Sequence, residues 1–271
     1  MTSGRSSAQG LVLVAAAGYA VARAVRRTHL DGRFPGGSGR WERRNHAGEA
    51  ITLTEGVALA AGAGLPLLAT DPAAALVVGG SALVGAVDDL AGGAQAKGLR
   101  GHLSALRRGR VTTGMLKVGV LGASGLVGAA WSDHRTGRGI SLHTLAAAGL
   151  VAGSANLANL FDLRPGRALK VGLAGGIPLL LAGRPAAASA AGACLAVLPD
   201  DLAARSMLGD TGANPLGAAV GMAAAQHLSG RGRWAGLAAV TGLTLLSERV
   251  SFTQVIESTP LLRRLDAWGR T

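Results

Sequence analysis

The sequence predicts an all-α, polytopic transmembrane helix bundle, and three observations carry that expectation. Of 271 residues, 49% are hydrophobic and only 15% are charged, well under the ~25% charge of soluble domains. Apolar stretches recur along the whole length and leave no separate polar region large enough to hold a soluble core. Small residues, 43 glycines among them, make up much of the apolar content, which suits helices that approach closely in lipid.

In chain order the candidate spans are 8–25, 50–69, 72–87, 114–131, 140–160, 168–182, 185–199, 215–228 and 233–247, about nine in all. Several fall short of the ~20 residues that a full crossing needs. The first stretch is preceded by Arg5 alone, carries Arg23 near its end, and is followed by Arg26 and Arg27. That polarity favours an anchor with its N-terminus outside over a cleavable signal peptide. Pro66, Pro178 and the many glycines are places where a membrane bundle tolerates a kink. Residues 1–247 are expected to form the bundle and 248–271 a cytoplasmic C-terminal tail.

The net charge is +12 and aromatics are 3% of the chain. With few rings for stacking and no recognition module, nucleic acid is not the expected partner. Sidedness explains the charge better. The loops 26–49, 88–113, 161–167, 200–214 and the tail hold 18 Lys and Arg, and the opposite side holds 6. Basic residues accumulate in cytoplasmic loops, so these segments are expected inside a cell-membrane protein. The stretch Lys97 to Arg110 has the spacing of an amphipathic surface helix lying on anionic lipid. Cys194, the single cysteine, excludes an intrachain disulfide and reads as an inert buried thiol.

Three acidic sites fall on the inner side. Asp88 and Asp89 close the apolar run that begins at Pro72. Such a pair is costly at a hydrophobic helix end unless it faces water or binds a cation; Mg²⁺ with substrate phosphates is one such cation. Asn156, Asn159 and Asp162, three residues apart, share one face at the inner end of the fifth span. Gly209-Asp210-Thr211-Gly212 precedes a helix expected to open after Pro215, a favoured first-turn residue, and its turn amides are a natural seat for phosphate. Each has a plainer reading: a solvated helix end, bundle glue, an ordinary turn. At three successive inner helix ends they point together to a Mg²⁺–diphosphate substrate meeting a lipid.

Taken together these motifs resemble those of the polyprenyl-phosphate N-acetylhexosaminyl-1-phosphate transferases, the family that includes the phospho-N-acetylmuramoyl-pentapeptide transferase of peptidoglycan synthesis. Asp88-Asp89 is similar to the family's Asp-Asp motif. Asn156, Asn159 and Asp162 match its Asn-x-x-Asn-x-x-Asp spacing. Gly209-Asp210-Thr211-Gly212 matches Gly-Asp-x-Gly-Ser, with Ala213 for the serine, and Lys97-Gly-Leu is similar to a basic stretch after the Asp pair. Order and setting agree from about residue 40 to 225.

The resemblance implies transfer of a sugar-1-phosphate from a UDP-sugar to a polyprenyl phosphate, with release of UMP, in cell-envelope synthesis. It implies Asp88, Asp89 and Asp210 as catalytic residues and Asp88 and Asp210 as ligands of Mg²⁺, or of Mn²⁺ in its place. Asp89 would position or deprotonate the lipid phosphate. Asn156, Asn159, Asp162, Lys97, Lys117, Gly209, Thr211 and Gly212 would contact substrate; for Lys117, snorkelling to the interface is the alternative. The partners are the lipid phosphate, the UDP-sugar, the membrane, and a second copy of the chain in a homodimer.

The chain departs from the family at two places. The family continues its second motif as Asp-Gly-x-Asp-Gly, whereas here Asp162 leads into Leu-Arg-Pro165-Gly166-Arg167. The histidine-rich motif of the last cytoplasmic loop is replaced by 247–266. His46 and His102 read as ordinary surface histidines, and Asp200-Asp201 as a solvated helix end or an accessory metal set. These departures keep a second reading open, a catalytically silent relative acting as a lipid-binding or scaffold protein. A third, an ion or metal transporter, expects acids near the bilayer midplane.

Overall fold

The computed structural model describes residues 2–44, 48, 50–91, 109 and 112–270. It is an all-α bundle, and four of its helices are long and apolar enough to cross a membrane: the stretch from Ala8 in α1 (Thr2–Leu30), and α4 (Pro72–Ala91), α5 (Thr113–Arg135) and α6 (Leu142–Phe161). The other large helices are α7 (Arg167–Leu181), α8 (Pro185–Leu202), α9 (Gly209–His227) and α10 (Gly230–Ser247). At 1.5 Å per residue, α7 reaches only about 22 Å, short of the ~30 Å hydrocarbon thickness.

Two expectations are corrected. The segment 50–69 is not one helix: it starts as strand β2 (Ala50–Thr52), continues as α2 (Thr54–Gly64), and ends as α3 (Leu67–Thr70) beyond Pro66. Strand β2 pairs antiparallel with β1 (Glu42–Arg44), with Arg43 opposite Ile51. β-branched Ile51 and Thr52 favour the extended form, and Met207 N–H donates to the Thr52 carbonyl at 3.1 Å. The second correction concerns α9. It opens at Gly209, not after Pro215, which lies inside it.

Helix α9 is the hub of the bundle, packing against α2, α4, α5, α6, α7 and α8. Small residues make that possible. A Cβ on Gly217 would sit 2.2 Å from the Ser154 carbonyl, and one on Gly212 2.6 Å from the Gly56 Cα. Ala213, Ala218, Ala219 and Ala223 are fully buried along the same helix. At the edges, α1 packs on α8 and α2, and α10 packs on α6. Cys194 is buried within α8, as an inert thiol should be.

The tail docks on the loop that follows α6. Its helices are α11 (Phe252–Ser258) and α12 (Pro260–Ala267). Phe252 stacks on Phe161 at 5.1 Å between ring centroids. Arg167, 3% exposed, grips Asp266 with two hydrogen bonds of 2.7 and 2.9 Å and donates to Thr253. Arg270 Nε donates to the Pro165 carbonyl at 2.8 Å. Burial would push the Asp266 carboxyl up, but the Arg167 hydrogen bonds and the charges of Arg167 and Arg270 outweigh it and hold Asp266 below its ordinary value. A depressed acid contributes docking energy that is present above its unfolded pKa, about 3.9, and is lost as pH falls through the lower folded value. Docking therefore holds through pH 5 and is released only in stronger acid, an outcome that pH-dependent tryptic cleavage at Arg263 and Arg264, in an acid-pulse format, checks.

Candidate functional site

The site is built where the end of α4, the starts of α5 and α9, and the residue after α6 meet. Gly209 begins α9 with φ +58°, a left-handed conformation open mainly to glycine. A Cβ there would also lie 2.9 Å from an Asp89 carboxylate oxygen. That closeness is the purpose of the arrangement: Asp89 accepts hydrogen bonds from the amides of Asp210 (3.1 Å) and Thr211 (2.8 Å) and from the Thr211 hydroxyl (2.6 Å). Asp162 accepts the Gly209 amide at 2.8 Å. Two acids from distant parts of the chain thus cap the start of α9, where free N–H groups and the helix dipole favour negative charge.

Beside this cap, Asp210 pairs with Lys117 at 2.7 Å, and the Asp88 carboxyl lies close enough to act on it. Lys117 is buried, 8% exposed, and engaged with an acid. Arg43 of β1 donates to the Asp89 backbone carbonyl, so the small hairpin is fastened to the end of α4. Burial and the negative charge of Asp201 push the Asp162 carboxyl well above its ordinary value, with Asp89 and Asp210 adding to that and the Gly209 amide opposing.

The residues expected at the site divide into two groups. Asp88, Asp89, Asp162, Lys117, Gly209, Asp210 and Thr211 come together. Gly212 is spent on the contact with Gly56 of α2, a packing duty. Asn156 points to α10, with its amide 3.5 Å from the Thr244 hydroxyl, and the backbone carbonyl of Asn159 accepts the Asp162 amide. Lys97, His46 and His102 lie outside the described residues. Asp200-Asp201 is not a solvated helix end: Asp201 is 2% exposed, and Asp200 pairs with Arg26 at 3.0 Å.

Glu55 was not singled out, yet it is fully buried in the first turn of α2 and accepts a hydrogen bond from Ser206. The signal for it was available, since an acid that opens an apolar run is the same anomaly as Asp88. Arg43 gave no such signal, because its partner lies 46 residues away.

Among the described residues no group of three or more His, Cys, Asp or Glu is arranged to hold a metal ion. Mg²⁺ needs less: it commonly takes one or two carboxylates and completes its shell with water and phosphate. Asp88 and Asp210, two neighbouring carboxyls, fit that requirement.

The packing around the cap carries a sharp expectation. A Cβ on Gly85 of α4 would sit 2.2 Å from the Asp210 carbonyl. Gly85→Ala must therefore push α4 away from α9 and stretch the Asp89 cap. Overpacking of this kind costs about 1–3 kcal/mol, so the melting temperature in detergent falls, whereas Gly79→Ala, with open space around it, does not lower it.

Compared with models of known protein families and with curated proteins, the chain matches none.

Proposed function

We propose that this protein transfers a sugar-1-phosphate from a UDP-sugar to a polyprenyl phosphate at the membrane surface. The observation that carries the reading is the convergence of Asp88, Asp89, Lys117 and Asp210, from three helices, around the amide-bearing start of α9. A half-buried cluster of three acids and one lysine, held at the capped start of α9, suits alignment and neutralisation of phosphates, which is most of what phosphoryl transfer asks of a protein.

In this reading Asp88 and Asp210 hold Mg²⁺, which when bound supplies charge neutralisation for the diphosphate. Lys117, which neutralises Asp210 in the absence of substrate, turns to the phosphates. Asp89 keeps the start of α9 in place, and the Asp210 side chain with it. Asp162, buried behind Gly209, acts as a positioning residue. An oxygen of the lipid phosphate attacks the sugar-bearing phosphorus. The bridging P–O bond breaks, and UMP leaves with its oxygen. A phosphate monoester has its second pKa near 6, so no protein base is required. The acids lie at helix ends, which favours a surface site over a through-path for ions. The reading also includes about nine spans, an outside N-terminus and an inner active face.

One observation favours the alternative, a silent lipid-binding or scaffold relative. The loop at Pro165 and Gly166 is covered by the tail through Arg167 and Asp266. The two readings part in one assay: purified protein, undecaprenyl phosphate, Mg²⁺ and a panel of UDP-sugars, scored for UMP. Release with one sugar supports the transferase; silence with every sugar from folded protein supports the scaffold.

A further inference from the structure

Helices α5, α6 and α9 run from the acidic cluster to the other end of the bundle. From Lys117 to Asp133, from Asp162 back to His143 and from Asp210 to His227 the separations are 16 to 19 residues, roughly 24–29 Å of helix. That is close to the hydrocarbon thickness of a bilayer. At this far end the structure forms a cleft of about 420 Å³, lined among others by Asp133, Arg138, Ser141, His143, Ser229 and Arg233.

The cleft has a surplus of donors. Asp133 is the sole acid among the described lining residues, and both its carboxylate oxygens are already engaged. One oxygen takes Arg233 Nη2 at 2.6 Å; the other takes Arg233 Nη1 and the Thr144 hydroxyl, each at 2.8 Å. Asp133 and Arg233 are 1% and 3% exposed, so the pair is a buried, neutral floor. Arg138 adds a fixed positive charge above it. One of its nitrogens donates to the Gln226 carbonyl at 3.1 Å, and a guanidinium has five N–H groups to give.

The neutral groups point the same way. Ser141 and Ser229 cap α6 and α10 by accepting the amides of His143 and Gly232. Each uses its oxygen for this and keeps its hydroxyl proton to donate. Trp234 donates its indole N–H to His143 Nδ1 at 3.2 Å, which assigns the proton of a neutral imidazole to Nε2. The ring is held tightly, since a Cβ on Gly230 would meet it at 2.6 Å. Next to the lining residues, Ile140 and Leu142 are 74% and 69% exposed, and Trp234 is 44% exposed. Apolar side chains and an indole in that position suit a membrane boundary.

We propose that this cleft binds a phosphate group at the end of the bundle opposite the acidic cluster. Arginine with hydroxyl and imidazole donors is the chemistry that recognises a phosphate's oxygens. The phosphate comes from a lipid headgroup or from a soluble source, and both are probed with the full chain in nanodiscs. One arm titrates inorganic phosphate into phosphatidylcholine discs; the other compares phosphatidic acid with phosphatidylcholine discs. The readout is the fluorescence of Trp234, one of four tryptophans, identified by its loss in Trp234→Phe. Binding shifts the signal in at least one arm, and the responding arm names the source. Arg138→Gln, a change at an exposed side chain, weakens the response at least tenfold, while Arg138→Lys keeps most of it. The proposal is overturned by a silent Trp234 in both arms, or by a response that Arg138→Gln leaves unchanged.

Discussion

Asp210→Asn abolishes UMP release, with a loss of at least about 10²–10³-fold, the size seen when one preorganised electrostatic contact to a reacting centre is removed. The change is nearly isosteric and leaves the backbone of α9 intact, since the amides of Asp210 and Thr211 still donate to Asp89. It removes the negative charge that pairs with Lys117 and would hold the metal. Circular dichroism and melting temperature separate lost chemistry from lost fold. Full turnover by Asp210→Asn would remove Asp210 from the metal site. A parallel fall in both activity and helicity would instead make the residue structural.

The second large effect lies in the tail. Arg167→Met leaves Asp266, whose side chain is 9% exposed, without its main partner. Arg270 stays paired with Asp266 at 2.9 Å, so the loss falls below the about 3–5 kcal/mol of a fully stranded buried charge. The bundle need not unfold to relieve that cost, because α11 and α12 can lift off while the core stays packed. The expected result is local: tryptic cleavage at Arg263 and Arg264 becomes faster by about 10-fold or more, while the melting temperature of the bundle changes little. The double variant Arg167→Met, Asp266→Leu removes both charges and should recover most of the protection. Measured on sugar transfer, the same pair shows whether a docked tail helps or restrains the site: a cover that restrains it gives Arg167→Met a higher rate than wild type.

Much of this architecture was legible in the sequence because apolar runs and their breakers are local. The run expected over 168–182 is helix Arg167–Leu181, and that over 233–247 is Gly230–Ser247. The start of α9 was misplaced for a physical reason. Pro215 is a good first-turn residue, whereas the true start is capped by Asp89 and Asp162, 121 and 47 residues away in the chain. No local pattern announces a cap supplied from elsewhere. The hairpin was missed because strands of three residues are too short for a period of two to show. At the site, Asp88, Asp89 and Asp210 stood out as acids beside apolar runs. What sequence spacing could not reveal was their division of labour: Asp89 is taken up by the amides of α9, while Asp88 and Asp210 face each other. Asn156 followed the helical spacing correctly but belongs to the side of α6 that meets α10.

The most direct measurement follows the lipid rather than the nucleotide. Mass spectrometry of the polyprenyl phosphate after incubation with purified protein, Mg²⁺ and the responsive UDP-sugar should show a lipid heavier by one sugar-1-phosphate, formed one-for-one with UMP and absent when EDTA is added. An unaltered lipid from folded protein, across the whole sugar panel, would contradict the assignment of the Asp88, Asp89, Lys117 and Asp210 cluster as a phosphoglycosyl transfer site.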